Sequence, residues 1–167
     1  FGTGSHASTQ LCLTALEQAI KPGDRVLDLG CGSGILSIAA LKLGACFAAG
    51  CDIDPKAVDV ARENALLNEI EREQLYLRTG NILSNVNLFA EIKKEKFQVI
   101  LANIVADVII ALAPMVGDFL APGDVLICSG IIDDRAEEVG HALEKQGFTL
   151  QSVRQKDGWV SYTAAVI

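Results

Sequence analysis

Short runs of apolar or β-branched residues alternate along the chain with longer stretches in which apolar residues recur at helical spacing. The first long stretch, from about Ser8 to Ile20, predicts a helix with Ser8 as its N-cap. The short run that follows, Val26–Leu29, predicts a buried strand, and later segments repeat this order. Such alternation is typical of βαβ units around a mainly parallel sheet.

The same pattern continues to the end of the chain. It predicts further strands at Phe47–Asp52, Leu75–Arg78, Gln98–Ala102, Val125–Ser129, Phe148–Arg154 and Trp159–Val166. It predicts further helices at Ile35–Leu43, after the cap Asp54-Pro55, within Asn85–Lys96, at Ala106–Leu120 with a kink or break at Pro114, and at Asp133–Gln146. Asp157-Gly158 is a strong hairpin signal. We therefore expect an α/β fold, a Rossmann-like doubly wound seven-stranded sheet that is mostly parallel with an antiparallel C-terminal hairpin.

Composition limits what such a domain can do. The 167 residues are half hydrophobic, enough for one core, and 14 Lys and Arg against 21 Asp and Glu give a net charge of −7. This balance disfavours direct nucleic-acid binding and favours a basic protein partner. No apolar run approaches a membrane span, and the five cysteines form no C-x-x-C pair. We expect a cytoplasmic protein without a membrane segment, disulfide framework or metal site.

The most informative stretch runs from Asp28 to Gly34 and carries a glycine at every second position, Gly30, Gly32 and Gly34. A glycine loop between a strand and a helix lets the backbone approach a ligand, and the helix N-terminus favours a phosphate or a carboxylate. The dinucleotide fingerprint G-x-G-x-x-G fails in both registers, because Ile35 or Ser37 stands where its last glycine is required. A tight turn without a ligand is the alternative.

A candidate ribose ligand follows at the end of the next predicted strand. Asp52 lies 22 residues after Gly30, and its carboxylate can accept both hydroxyls of an adenosine ribose. The alternative for Asp52 is a solvated strand end. Helix capping already explains Asp54, and a structural role is favoured for Asp28.

The pattern D-x-G-x-G-x-G followed by this acid resembles the class I S-adenosylmethionine-dependent methyltransferases. Together with the segment Phe1–Thr9 and Ala102-Asn103-Ile104, it closely resembles the catalytic domain of the bacterial ribosomal protein L11 methyltransferases over nearly the whole chain. The resemblance implies that residues 1–167 form one catalytic domain and that the family's N-terminal substrate-recruiting domain is absent.

The resemblance also implies a reaction and a set of residues. The cofactor would be S-adenosylmethionine, held by Thr9, Gly30, Asp52 and Asn103, with Gly32 and Gly34 completing the loop. The methyl group would pass to lysine or N-terminal amines of a ribosomal protein. The family has two adjacent threonines where this chain has Ser8-Thr9.

Further candidates rest on single residues. Asn103, at the carboxyl end of a central strand, is a candidate for orienting the amine or the cofactor, or is an ordinary polar strand end. His6 is a candidate proton acceptor or a brace for the N-terminal loop. Asn81 either reaches the adenine or forms a turn. Phe1 with Gly2-Thr3-Gly4 is a candidate lid.

Three other functions compete with this interpretation. Methyltransferases of nucleic-acid bases or glutamine side chains commonly carry N-P-P-Y or D-P-P-Y after the fourth strand, where this chain has Asn103-Ile104-Val105-Ala106 and so lacks the aromatic stacking platform. A nicotinamide-dependent oxidoreductase shares the architecture but needs the failed glycine spacing. A non-catalytic binding module is the third.

Overall fold

A computed structural model describes residues 4–167, which form one sheet with helices on both faces. The strands are β1 (Arg25–Leu29), β2 (Phe47–Asp52), β3 (Leu75–Thr79), β4 (Phe97–Asn103), β5 (Leu120–Ile132), β6 (Phe148–Lys156) and β7 (Trp159–Val166). The helices are α1 (Ala7–Ala19), α2 (Ile35–Lys42), α3 (Pro55–Leu67), α4 (Val86–Lys93), α5 (Ala106–Val116) and α6 (Ala136–Lys145).

The seven strands lie in the order β3-β2-β1-β4-β5-β7-β6. The first five pair in parallel, and β7 pairs antiparallel with both β5 and β6. Asp157 and Gly158 join β6 to β7 with φ angles of 51° and 81°, the left-handed values that a two-residue hairpin turn requires. The predicted fold class is confirmed, and the strand order reverses between β1 and β4, where ligands bind in such sheets.

The central strand β4 shows how the core is divided. Val99 and Leu101 point into a cluster formed with α1, α2 and α3, whereas Ile100 and Ala102 point into a second cluster with α4, α5 and α6. All four side chains are buried. The continuous apolar run of this strand is therefore explained by burial on both faces, as parallel sheets require.

Two predicted helix boundaries differ in the structure. Helix α1 is capped by His6 rather than Ser8, because Ser8 is buried inside the first turn, where its carbonyl oxygen accepts a hydrogen bond from Ser129 Oγ at 2.7 Å. Helix α5 ends at Val116, short of the predicted Leu120, and continues as a 3₁₀ turn. Pro114 lies within the last turn of α5, so the predicted break is wrong.

The starts of β5 and α6 also differ from the predicted boundaries. The predicted strand Val125–Ser129 lies within the longer β5, which begins with an irregular stretch in which Ala121 N–H donates to Asp124 Oδ2 at 2.9 Å and Gly123 has a φ of 91°. Helix α6 begins at Ala136 rather than Asp133, because a 3₁₀ turn precedes it. These differences leave the predicted topology unchanged.

Within residues 4–167, every helix is too short or too polar to cross a lipid bilayer.

Candidate active site

The predicted site residues lie at the carboxyl edge of the sheet, where β1, β2, β4 and β5 end beside the N-terminus of α1. The glycine loop follows β1 and is tied to the end of β2, because Gly30 N–H and Cys31 N–H both donate to Cys51 O, at 2.9 and 3.0 Å. Gly30, Gly32 and Gly34 have φ angles of 74°, 53° and 82°. The loop therefore depends on a backbone conformation that glycine adopts readily.

The three glycines differ in what surrounds them. A Cβ on Gly30 would lie 2.6 Å from Ile104 Cγ2, and a Cβ on Gly34 would lie 2.9 Å from Ala61 Cβ. Among residues 4–167, no heavy atom beyond Gly32 and its two chain neighbours comes within 4 Å of the corresponding position on Gly32. Gly34 is thus required for packing of the loop on α3 and Gly30 for its close approach to Ile104, whereas Gly32 presents open backbone to the site.

Asp52, at the end of β2, is held by two backbone donors. Its Oδ2 accepts from Gly32 N–H at 2.9 Å and its Oδ1 from Asp54 N–H at 3.0 Å. A carboxylate has about four lone-pair positions, so each oxygen can still accept a further hydrogen bond. Asp54 itself caps α3 by accepting from Lys56 N–H at 2.9 Å, as predicted.

Asp28 lies beneath the loop and is fully buried. Its Oδ2 accepts from Ser37 Oγ at 2.7 Å, which joins β1 to α2. Burial raises the pKa of Asp28 from 3.8 to about 6, and the hydrogen bonds from Ser37 oppose that rise. Its complete burial and its bond to Ser37 support a structural role for Asp28.

Thr9 and Asn103 meet although 94 residues separate them in the chain. Asn103 Nδ2 donates to Thr9 Oγ1 at 3.2 Å, and Thr9 is 2% exposed. The amide oxygen of Asn103 then points the other way and lies 3.1 Å from the position that a Cβ on Gly130 would take. The pair leaves the Thr9 hydroxyl proton and the Asn103 oxygen for other partners.

Two cavities meet at the glycine loop and share Gly30, Ile104 and Val108. The first, of about 390 Å³, is lined by the predicted residues Thr9, Gly30, Gly32 and Asn103, and also by Gly130, Trp159 and the apolar side chains of Ile35, Leu36, Ile104, Val105 and Val108. The second, of about 310 Å³, is lined by Gly30, Asp52, Asn81, Ile53, Ile82, Leu83 and others. Every predicted cofactor residue except Gly34 borders one of them.

Asn81 fits both interpretations of its role. Its side-chain Oδ1 accepts from Leu83 N–H at 3.0 Å and its carbonyl oxygen accepts from Asn85 N–H at 2.8 Å, so it builds the turn after β3. It also borders the second cavity with Asp52.

His6 caps the start of α1 and is not among the residues that line either cavity. Its Nδ1 accepts from Ser8 N–H at 3.2 Å and lies 2.8 Å from Ser8 Oγ. Its ring packs edge-on against Trp159 with the centroids 5.0 Å apart. The candidate lid, Phe1 with Gly2-Thr3-Gly4, lies outside the described residues except for Gly4.

Several residues of the site were not predicted from the sequence. Trp159, at the start of β7, and Gly130, in β5, reach the first cavity from the antiparallel part of the sheet. Ile53 and Val105 are 72% and 63% exposed although each follows the end of a buried strand. An apolar residue just after a buried strand is a sequence signal for a ligand cavity at that edge of the sheet.

The fold and the site together define the class of protein. A doubly wound sheet, a glycine loop after β1 that lacks the dinucleotide spacing, and an acid at the end of β2 are the features of class I S-adenosylmethionine-dependent methyltransferases. The family model described as Ribosomal protein L11 methyltransferase (PrmA) matches residues 1–166. The chain belongs to that family.

Individual relatives agree with this assignment. The ribosomal protein L11 methyltransferase of Chromohalobacter salexigens is 45% identical over 163 residues, which are 98% of this chain and 52% of the relative. The ribosomal protein L11 methylase of Lactobacillus delbrueckii subsp. bulgaricus superposes with a TM-score of 0.86 at 33% identity, covering 98% of this chain and 80% of that one. An RNA methyltransferase from Salinibacter ruber, solved with S-adenosyl-L-homocysteine, shares the fold alone, with a TM-score of 0.68 at 20% identity over 92% of this chain and 88% of its own. The chain spans about half the length of the curated relatives it matches.

The residues of the site fit S-adenosylmethionine. The open backbone at Gly32 would be filled by a Cβ, and the apolar side of the second cavity, with Ile53 and Ile82, suits a planar adenine. Asp52 supplies acceptors for hydroxyl groups, and Thr9 supplies a hydroxyl donor. These hydrogen-bonding groups match a ligand in which a nucleoside is joined to an amino acid.

Proposed function

We propose that this chain binds S-adenosylmethionine and transfers its methyl group to a lysine or N-terminal amine of ribosomal protein L11. The observation that carries the proposal is the junction of the two cavities at Gly30, with Asp52 on one side and the Thr9–Asn103 pair on the other. Family membership supports the substrate.

The cofactor would occupy both cavities, with its nucleoside in the second and its methionine part in the first. Asp52 would accept the ribose hydroxyls, and Asn81 and Ile82 would border the adenine in the second cavity. Gly30, Gly32, Thr9 and Asn103 would border the methionine part in the first. The backbone amides of the loop and the N-terminus of α2 favour the methionine carboxylate there.

The chemistry supplied by the bound cofactor is an electrophilic methyl group on a sulfonium, which an amine displaces in line. The chain must therefore align the amine and keep it neutral. The oxygen of Asn103 is oriented by its own bond to Thr9, and we assign it to accept an N–H of the amine. A lysine has a reference pKa of about 10.4, and the apolar side chains of the first cavity favour its uncharged form.

Charge supports a basic protein as the partner. The chain carries a net charge of −7, so attraction to a cationic substrate outweighs attraction to nucleic acid. We also propose the cytoplasm as the compartment, because its reducing conditions fit five free cysteines.

Trp159 favours a second candidate, a methyltransferase acting on planar bases or glutamine amides. The sequence after β4 lacks an aromatic residue, but the structure brings Trp159 to the first cavity from β7. An indole there can stack on a planar acceptor. The net negative charge weighs against nucleic acid, so this candidate ranks second.

Methyl transfer to purified ribosomal protein L11 tests the proposal. Two proteins are compared: the chain itself, and a chimera in which the chain replaces the matching half of the Chromohalobacter salexigens relative. Each is incubated with ribosomal protein L11 and isotopically labelled cofactor, and the labelled positions are mapped by tandem mass spectrometry. Asn103→Ala in the same chimera is the control. We expect label on lysine or the N-terminal amine, reduced in the control. Label on glutamine or on ribosomal RNA, or no transfer by the chimera, would contradict the proposal.

A further inference from the structure

The imidazole of His6 occupies the N-terminus of α1, the helix that carries Thr9. Its Nδ1 accepts the hydrogen bond from Ser8 N–H at 3.2 Å and lies within hydrogen-bonding distance of Ser8 Oγ at 2.8 Å. The first backbone N–H groups of a helix have no partner within the helix, and a side-chain acceptor at this position stabilises it. His6 therefore performs the task that serine, asparagine or aspartate usually performs.

This cap fixes the tautomer of His6. A ring nitrogen that accepts a hydrogen bond carries no proton, so the proton of the neutral ring is on Nε2. Uptake of a second proton can occur only at Nδ1, and it would replace the acceptor of the Ser8 N–H with a donor. Capping α1 and accepting a proton from the substrate are therefore mutually exclusive for His6.

The first turn of α1 is also the part of the helix that reaches the site. Ser129, in β5, donates to Ser8 O at 2.7 Å, and Asn103, at the end of β4, donates to Thr9 Oγ1 at 3.2 Å. The His6 ring packs against Trp159 of β7. A change in the first turn is therefore transmitted to the two polar side chains of the first cavity, Thr9 and Asn103.

We infer that His6 is a positioning residue: it caps α1, and through that cap it sets Thr9 and Asn103 for the cofactor, so it is not the proton acceptor of the reaction. This inference rests on the proposed function, since it concerns the site for S-adenosylmethionine. It predicts that another capping side chain can replace the imidazole although it cannot exchange a proton.

Calorimetric titration with S-adenosyl-L-homocysteine compares the unsubstituted chain with His6→Ala and His6→Asn. Loss of an N-cap frays the first turn of a helix, and a ligand that needs this turn ordered then binds more weakly. We expect His6→Ala to weaken binding by about fivefold and His6→Asn to stay within about twofold of the unsubstituted chain. Ile92→Val, a core change in α4 of similar expected cost to stability, controls for general destabilisation and should leave the affinity unchanged.

A second substitution tests whether His6 acts through Thr9. On a Thr9→Val background, His6→Ala should reduce the affinity by less than about twofold, because the side chain it positions is already missing. Equal losses in His6→Asn and His6→Ala, or an unchanged affinity in His6→Ala, would overturn the inference.

Amide hydrogen exchange without any ligand separates this inference from the proposed function. Faster exchange in the first two turns of α1 is expected for His6→Ala and not for His6→Asn. A chain that fails to bind S-adenosyl-L-homocysteine would overturn the proposed function, whereas the exchange comparison would still decide whether His6 is the cap. Unchanged exchange in His6→Ala would overturn the cap.

Discussion

The carboxylate of Asp52 accepts a hydrogen bond from the backbone N–H of Gly32 at 2.9 Å, joining the ends of β2 and β1 at the edge of the site. The same carboxylate accepts from Asp54 N–H through its other oxygen. Asp52 thus shapes the glycine loop and at the same time presents acceptors to the second cavity. One side chain connects the two parts of the proposed cofactor site.

Replacing Asp52 with asparagine should weaken binding of S-adenosyl-L-homocysteine by at least about tenfold, or ~1.4 kcal/mol. The amide keeps one acceptor, but because each carboxylate oxygen of Asp52 accepts a backbone N–H, the NH₂ group would face one of those two donors in either orientation. Calorimetric titration measures the change. Asp54→Asn is the matched control, because asparagine caps a helix as well as aspartate and the backbone N–H of residue 54 remains. Equal effects of the two substitutions would contradict this role for Asp52.

Thr9 and Asn103 should act on the cofactor as a pair. Thr9→Val and Asn103→Ala should each weaken binding, and the double variant should lose less than the product of the two effects. We expect a coupling free energy of about 0.5–1.5 kcal/mol, the usual net value of one hydrogen bond. A double-mutant cycle by calorimetry measures it, and strictly additive losses would show that the two side chains bind independently.

Gly30→Ala should destabilise the fold by about 2–4 kcal/mol, since the residue has a φ of 74° and its Cβ would lie 2.6 Å from Ile104 Cγ2. Urea unfolding measures this free energy. Gly117→Ala is the matched control, because Gly117 has a φ of −60° and, within the described part of the chain, no residue outside its own local backbone comes within 4 Å of its Cβ position. It should change stability by less than about 1 kcal/mol in either direction. A mild effect at Gly30 would argue against the close packing of the loop.

The pKa of Asp28 predicts a pH dependence of stability. The unfolded carboxyl has a pKa near 3.8 and burial raises the folded value to about 6, so the folded chain binds the extra proton between these values. The free energy of unfolding should therefore fall as the pH rises from about 4 to 6, by on the order of 3 kcal/mol from this group. Asp28→Asn should remove that part of the slope in urea unfolding at several pH values. An unchanged slope would contradict a buried, proton-binding Asp28.

Local sequence patterns predicted most of the fold and the parts of the site that follow strands directly. The run before Asn103 is apolar throughout because β4 is buried on both faces, and glycines at alternate positions marked the loop. Asp52 could be predicted because it ends the strand that follows the glycine loop, and β2 does end at this residue.

Features set by distant contacts could not be predicted in the same way. Trp159 reaches the first cavity only because β7 pairs antiparallel with β5, and no local pattern specifies that partner. The lack of a Cβ at Gly34 is used against Ala61, which is 27 residues away in the chain, so no local pattern indicates this packing. Ser8 has the residue type of a cap, yet the anchoring of Ser8 by Ser129 shifts the helix start and gives that task to His6.

The most direct test of the central claim is a calorimetric titration of the chain with S-adenosyl-L-homocysteine and, separately, with NAD, repeated on Asp52→Ala. The two-cavity site predicts one binding site for S-adenosyl-L-homocysteine, at least about tenfold weaker binding in Asp52→Ala, and no heat of binding with NAD. Tight binding of NAD without any response to S-adenosyl-L-homocysteine would contradict it.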